Sequence, residues 1–282
     1  MASAIKTTNT ESNDVRRASA NVGTVYNKIA TDFSRTRYKV WPCVARFLDQ
    51  IIDDARTDTS ILVGEPASSC HIIGETASSC HIIGEPASSC HIIGETASSC
   101  PIIGETASSC PIIGEIGCGN GKNLAYLSDT NVRIRTIGID ISEELLEICR
   151  GRGLEVMLGS ILDIPLDEHA LDHTLSVAVI HHFKERGDRI RALRELARVT
   201  RLGGRILITV WARNQTMEDG KRRFATNDEM VGFKTKTGET HYRYYHLYDD
   251  GELADDLAQV PELQVIKLYM ERGNYIAELV RV

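Results

Sequence analysis

The sequence lacks three features that would each place it in a broad class. It has no excess of positive charge, since 32 lysines and arginines are outnumbered by 39 aspartates and glutamates, for a net charge of −7. A nucleic-acid substrate would therefore need a local basic patch or a partner. No apolar run approaches the roughly 20 residues of a membrane helix, and the N-terminus MASAIKTTNTESNDVRR has no apolar core of a signal peptide. We expect no membrane partner and a cytoplasmic location, with the nucleus as a second compartment.

Cysteine is scarce outside one repeated block. Of the eight cysteines, five recur at ten-residue intervals from Cys70 to Cys110. The others, Cys43, Cys118 and Cys149, provide no disulfide framework. This usage favours a reduced compartment.

The block from residue 64 to 113 consists of five near-perfect copies of a ten-residue unit, such as GEPASSCHII and GETASSCPII. Adjacent Cys-His pairs occur in the first three copies, but this is not a usual zinc spacing, so we predict no metal site. A stacked solenoid is the alternative. One Ile-Ile pair per unit offers little core, which favours a mobile insertion.

Regular patterns lie on both sides of the block. Residues 1–21 are polar and predicted to be disordered. Residues 22–60 have apolar residues at helical spacing, including Val25, Ile29 and Phe33, and predict two helices broken near residues 34–38. From 114 to 282, short apolar strands alternate with amphipathic helices and end in a strand pair. This pattern predicts an α/β fold with a doubly wound, mostly parallel sheet and an antiparallel C-terminal hairpin.

The position of the repeat block indicates that it has split or doubled the first strand. The segments ILVGE (61–65) and IIGE (112–115) are near copies. Since the working strand must lead directly into the glycines that follow, we predict a strand at residues 111–116. The block then departs from the N-terminal end of this strand, where an insertion is tolerated.

The glycines of EIGCGNG follow that strand at alternate positions. Gly117, Gly119 and Gly121 allow a tight turn and a close approach of a ligand to backbone N–H groups. A dinucleotide fingerprint would need glycine at Lys122 instead. Asp140 ends the second predicted strand. A glycine-rich turn without a ligand is the alternative interpretation.

This pattern resembles the first motif of the class I S-adenosylmethionine methyltransferases, which have a Rossmann-like, seven-stranded sheet. The resemblance implies that the loop wraps the methionine part of the cofactor and that Asp140 holds its ribose hydroxyls. An acid often follows the third strand in that family, whereas Ser160 stands here and Asp163 comes three residues later. The cofactor-binding residues so implied are Glu115, Gly117, Cys118, Gly119, Gly121, Asp140, Ile141, Ser160 and Ile161.

Four further stretches narrow the resemblance. They are FSRTRYKVWPCVARFL (33–48), SVAVIHHF (176–183), GGRILITVWARNQ (203–215) and YRYYHLYDDGELADDL (242–257). Together they resemble the eukaryotic tRNA wobble-uridine methyltransferases, which convert 5-carboxymethyluridine to its methyl ester. The same domain occurs fused to an AlkB-type oxygenase in animals. The resemblance covers about residues 22–60 and 114–282, and the repeat block is not part of the family pattern.

The implied nucleophile is a carboxylate that is already ionised at pH 7, because its reference pKa lies near 4. The reaction then needs orientation and removal of water more than a base. Guanidinium groups pair with both carboxylate oxygens, so Arg37 and Arg243 are candidates, placed by the resemblance at the mouth of the site. His182 is the implied partner of the uracil or carboxylate. The alternatives are surface salt bridges for the arginines and a buried structural histidine.

The implied substrate-binding residues are mostly aromatic. Tyr38, Trp41, Tyr245 and His246 are expected to stack on or contact a flipped-out base. Sheet packing is the alternative for the YRYYHLY run, and core packing for Trp41 and Trp211. A basic segment at residues 221–224, with Arg213, Lys234 and Lys236, is a candidate for tRNA docking.

The resemblance also implies two partners: the tRNA anticodon loop and a small zinc-binding activator protein that pairs with an edge strand. Three functions stay open at this point. The first is an S-adenosylmethionine-dependent tRNA methyltransferase, the second a class I methyltransferase on a small molecule or another RNA, and the third a non-catalytic scaffold.

Overall fold

The computed structural model describes residues 13–62, 110–128, 130, 132–215 and 224–282 of the chain. Its contacts divide the chain into two compact units, residues 1–49 with 111–282 and residues 50–110. The described part of the smaller unit is the end of one helix, residues 50–62, and Cys110. No helix within the described ranges is long and apolar enough to cross a membrane.

The helices of the described residues are α1 (Asn13–Thr36), α2 (Pro42–Leu62), α3 (Lys122–Ser128), α4 (Glu143–Arg150), α5 (Arg186–Val199) and α6 (Glu252–Leu257). The strands are β1 (Ile112–Ile116), β2 (Arg135–Asp140), β3 (Val156–Leu158), β4 (His173–Val177), β5 (Arg205–Trp211), β6 (Asp228–Lys234), β7 (Thr240–His246), β8 (Leu263–Glu271) and β9 (Asn274–Arg281).

Seven of these strands form one sheet in the order β3-β2-β1-β4-β5-β9-β8. The first five pair in parallel, whereas β9 runs antiparallel to both β5 and β8. The predicted fold class is confirmed, including the seven strands and the C-terminal hairpin. The other two strands, β6 and β7, form a separate antiparallel hairpin.

The core forms where α5 packs on the sheet. Leu193 and Leu196 of the helix and Ile206 and Ile208 of β5 are fully buried in one apolar cluster. Each such side chain stabilises the fold by roughly 1.5–3 kcal/mol relative to exposure. This packing fixes the carboxyl ends of the parallel strands, where doubly wound sheets bind their ligands.

The predicted working strand is confirmed as β1. It lies at the centre of the sheet, between β2 and β4, whereas Ile61 and Leu62 belong to α2. A Cβ atom on Gly114 would lie 2.3 Å from Cδ1 of Leu171, so packing requires a glycine at this position. The expectations of mobility and of no metal site in the rest of the block fall outside the described residues.

Two boundaries differ from the prediction. The first helix begins at Asn13, so residues 13–21, which we predicted to be disordered, have a helical backbone. The fourth strand ends at Val177, before the two histidines, because Ala178 takes a positive φ of 61° that breaks the extended chain. His181 and His182 therefore lie on a single helical turn after the strand.

Candidate methyl-transfer site

The loop between β1 and α3 carries three glycines with positive φ, as the spacing predicts. A Cβ atom on Gly117 would lie 2.2 Å from Cγ2 of Val179, and one on Gly121 2.4 Å from Cδ1 of Leu154. A Cβ atom on Gly119 would meet only the ring of Phe33, at 3.7 Å. Packing therefore requires Gly117 and Gly121, whereas Gly119 leaves its side of the loop open.

Asp140 ties the end of β2 to this loop. Its Oδ2 accepts a hydrogen bond from the backbone N–H of Gly119 at 2.7 Å, and its Oδ1 accepts one from Ser142 at 2.9 Å. Burial raises the pKa of the Asp140 carboxyl. Each oxygen keeps further lone pairs, so the group retains acceptors for the hydroxyls of a ligand.

Glu115 lies at the end of β1 and is fully buried. Its Oε1 accepts a hydrogen bond from Nδ2 of Asn123 at 2.6 Å, while its Oε2 and the Oδ1 of Asn123 have no hydrogen-bond partner among the described residues. Burial raises the pKa of Glu115 to about 8. Two unpartnered buried acceptors at a cleft indicate a site for a hydrogen-bond donor or a cation.

These groups line one cleft of about 1110 Å³, its open mouth included. Of the predicted cofactor residues, Gly121 alone is not in its wall, because it packs against Cys149 and Leu154. Ser160 lines the cleft and Asp163 does not. The predicted cofactor residues in the wall are Glu115, Gly117, Cys118, Gly119, Asp140, Ile141, Ser160 and Ile161.

A second part of the cleft wall contains His182, Arg243 and Tyr245, three of the candidate site residues, together with Tyr26 of α1. The hydroxyl of Tyr26 lies 3.0 Å from Nε2 of His182 and accepts a hydrogen bond from Nη1 of Arg243 at 3.2 Å. Burial lowers the pKa of His182 to about 4, so this imidazole is neutral at pH 7. The neighbouring His181 does not line the cleft.

Arg243 is a buried cation that has no carboxylate partner among the described residues. Only 4% of the residue is exposed, so it lies inside the wall and not at the mouth of the site, where the resemblance placed it. Its guanidinium carbon lies 5.3–5.6 Å from the ring centroids of Tyr26, Phe233 and Tyr245. Its Nε has no hydrogen-bond partner among the described residues, and none of their carboxylates pairs with it.

The remaining predicted side chains divide between the cleft and the surface. Arg37 and Trp41 line the cleft, and Nζ of Lys122 lies 5.3 Å from the centroid of the Trp41 ring. Tyr38 is 72% exposed and is not in the wall. His246 is also absent from the wall, because carboxylates of β6 and α6 hold both of its ring nitrogens.

Trp211 also lines the cleft, although we weighed it as a core residue. Most of the predicted basic segment, residues 221–223, lies outside the described residues. Of its neighbours in sequence, Arg213 forms an ion pair with Asp249 at 2.6 Å. Among the described residues, no group of three or more histidine, cysteine or acidic side chains is placed to hold a metal ion.

The sequence did not reveal several residues of the wall. The helical pattern predicts Phe33 as a packing residue and does not single out Tyr26, which lies seven residues, or about two helical turns, before it. Both face the cleft because α1 packs beside β7. The only signal in the sequence was the apolar face of α1, which does not distinguish a cleft wall from a core.

Comparison with known proteins agrees with this geometry. Residues 114–208 match a family model described as a methyltransferase domain. A solved structure of a SAM-dependent methyltransferase from Methanosarcina mazei superposes with a TM-score of 0.50 at 16% identity, covering 61% of this chain and 93% of that one. Residues 114–208 thus form a methyltransferase domain, and the chain has the fold of the S-adenosylmethionine-dependent methyltransferases.

Curated relatives of this methyltransferase include enzymes named for wobble uridine, as the resemblance predicted. The tRNA (carboxymethyluridine(34)-5-O)-methyltransferase of Schizosaccharomyces pombe is 27% identical over 89% of this chain and 92% of its own length. The Arabidopsis thaliana protein of the same name is 31% identical over 68% of this chain and 32% of its own length.

A mouse protein named probable tRNA methyltransferase 9B is 43% identical over 41% of this chain. The chain spans about a quarter of the length of that protein and of its cattle and human counterparts, at 24% each.

Proposed function

We propose that the protein transfers a methyl group from S-adenosylmethionine to the carboxylate of 5-carboxymethyluridine at the wobble position of a tRNA. The observation that carries the proposal is Arg243, a buried guanidinium in the wall of the cleft that lacks a carboxylate partner among the described residues. Leaving such a charge unpaired is costly. A substrate carboxylate supplies the missing anion. The names of the curated relatives support the same substrate.

The wall at the glycine loop fits the methyl donor. The open side of Gly119 admits a ligand close to the backbone, and the carboxylate of Asp140 keeps acceptors for the ribose diol. The unpartnered Oε2 of Glu115 suits the ammonium group of the methionine part. When bound, the donor supplies an activated methyl group. The residues of the chain hold the donor and exclude water, and the acceptor carboxylate binds at the wall that contains Arg243.

The proposed reaction requires no proton to be removed from the acceptor. A carboxylate is ionised at neutral pH, and both ring nitrogens of His182 already have hydrogen-bond partners within the protein. His182 therefore serves to hold the wall in place rather than to accept a proton. What the side chains contribute is orientation and desolvation of the carboxylate.

The direct test is mass spectrometry of nucleosides from tRNA that carries 5-carboxymethyluridine, after incubation with the protein and S-adenosylmethionine. We expect the methyl ester to form, and a reaction without the donor is the control. Titration calorimetry with S-adenosylmethionine separates the other two functions. Binding without methyl ester favours another substrate, and the absence of binding, with or without an activator, favours a scaffold.

A small zinc-binding activator remains part of the proposal. Both edge strands of the sheet expose apolar side chains, Leu158 on β3 and Val265, Ile266 and Leu268 on β8. Such an edge is prone to association unless a partner covers it. We expect co-expression with the activator to raise both soluble yield and activity. A cytoplasmic and nuclear location is proposed with it, to be tested by fluorescence microscopy of the tagged protein.

A further inference from the structure

The hydrogen bonds around His182 have one consistent direction. Its Nδ1 lies 2.9 Å from the backbone carbonyl oxygen of Tyr244, which can only accept, so Nδ1 carries the hydrogen. A neutral ring then has its lone pair on Nε2. That nitrogen lies 3.0 Å from the hydroxyl oxygen of Tyr26. Tyr26 is therefore the donor of this bond.

The oxygen of Tyr26 is in turn an acceptor for Arg243. Since a guanidinium has no acceptor, its Nη1 must donate across the 3.2 Å to Tyr26. The chain of donors thus runs from Arg243 through Tyr26 to His182 and ends at a main-chain carbonyl of β7. Tyr26 comes from α1, whereas Arg243 and the carbonyl of Tyr244 belong to the hairpin.

We propose that Tyr26 is a positioning residue for methyl transfer: its hydroxyl, held by His182, fixes the guanidinium of Arg243 so that the remaining donors face the acceptor carboxylate. The inference rests on the proposed function. Tyr26 acts through Arg243 and exchanges no proton with the substrate. Without this hydroxyl, Arg243 keeps its polar interaction with Tyr245 and its contacts with the rings of Phe233 and Tyr245, but it loses the hydrogen bond that connects it to His182.

Tyr26→Phe tests the proposal, with Tyr126→Phe as a matched control whose hydroxyl bonds Asp49 outside the cleft. We expect kcat for the methyl ester to fall about ten- to a hundredfold, the usual range for a lost hydrogen bond to a charged group. The Kd of S-adenosylmethionine should change less than twofold, and Tyr126→Phe should match the wild type. An unchanged kcat in Tyr26→Phe overturns the proposal.

A second variant distinguishes positioning from general damage. In an Arg243→Lys background, Tyr26→Phe should change kcat less than twofold further, because the group it positions is already altered. Independent, multiplying losses would show that Tyr26 acts by another route and would overturn the proposal.

Ring-nitrogen NMR of the histidines provides a readout that does not depend on activity. We expect His182 with hydrogen on Nδ1 in the wild type and, in Tyr26→Phe, a resonance of Nε2 shifted toward that of a free lone pair. Hydrogen on Nε2 in the wild type would overturn the proposal. A wild-type protein with these spectra but without methyl ester formation would instead refute the proposed function.

Discussion

The two walls of the cleft differ in charge and in construction. The wall at the glycine loop presents carboxyl groups, Glu115 and Asp140, from strands that are adjacent in the sheet. The wall at the β6–β7 hairpin presents Arg243 among aromatic rings. In the proposed function, the methyl donor binds beside these carboxyl groups and the anionic acceptor binds beside Arg243. The difference between the two walls teaches that the proposed reaction depends on the placement of its two reactants and needs no acid or base between them.

The largest expected effect comes from removing the cation. Arg243→Gln should lower kcat/KM for tRNA about a thousandfold, because a buried partner of the carboxylate is lost. The Kd of S-adenosylmethionine should stay within twofold of the wild type. Initial rates by mass spectrometry and titration calorimetry check the two values. An equal loss in both would contradict a division of labour between the walls.

The reciprocal change is Asp140→Asn. An amide has one acceptor oxygen, so it cannot serve both Gly119 and Ser142 as the carboxylate does. We expect the affinity for S-adenosylmethionine to fall about ten- to a hundredfold, with unchanged affinity for the free 5-carboxymethyluridine nucleoside. Asp163→Asn is the control, since Asp163 does not line the cleft. A similar loss in the control would mean that Asp163, rather than Ser160, serves the cofactor.

A smaller effect concerns the stability of the ligand-free protein. Burial raises the pKa of Glu115 from 4.5 to about 8. The native state therefore keeps a proton that the unfolded chain releases, and stability falls as pH rises between these values. Glu115→Gln should remove part of this fall, so the melting temperature should drop by several degrees less from pH 5 to pH 9. Glu155→Gln, at an exposed ion pair, should follow the wild type.

The smallest effect is expected at Tyr38. Its ring is 72% exposed and outside the cleft wall, so Tyr38→Ala should leave the Kd of the free nucleoside unchanged. A contact of Tyr38 with the rest of the anticodon loop would affect only the tRNA. Tyr38→Ala should therefore raise the KM for tRNA about tenfold at most, which is in the range of one stacked base. Weaker binding of the nucleoside itself would place Tyr38 in the site after all.

The sequence was sufficient to predict the wall at the glycine loop, because consecutive elements of the chain form it. The glycine loop and Asp140 follow consecutive strands, and the strand pattern alone brings them to one edge of the sheet. The other wall joins Tyr26 to Arg243, which are 217 residues apart. For Arg243 and His182, only the resemblance to a known family predicts a place in the site. Tyr26 was missed because a tyrosine on an amphipathic helix has no pattern that distinguishes a hydrogen-bonded hydroxyl from packing.

His246 shows the opposite error. Its place in the YRYYHLY run suggested a contact with the substrate, but alternate residues of a strand face opposite sides. Tyr245 faces the cleft, and His246 is held by Asp228 and Glu252 instead. The orientation of the β6–β7 hairpin determines which of these two neighbouring residues faces the cleft. The sequence alone did not specify which face of the hairpin would contact α1.

The central strand has a consequence for variation in chain length. Ile112, Ile113, Gly114 and Glu115 form a tetrapeptide, IIGE, that also spans each junction between successive units of the repeated block. Removal of one whole ten-residue unit therefore regenerates the same strand in front of the same glycine loop. Gain or loss of copies changes the length of the chain in steps of ten residues and leaves β1 and the glycine loop unaltered. Alleles with different copy numbers should therefore encode the same central strand.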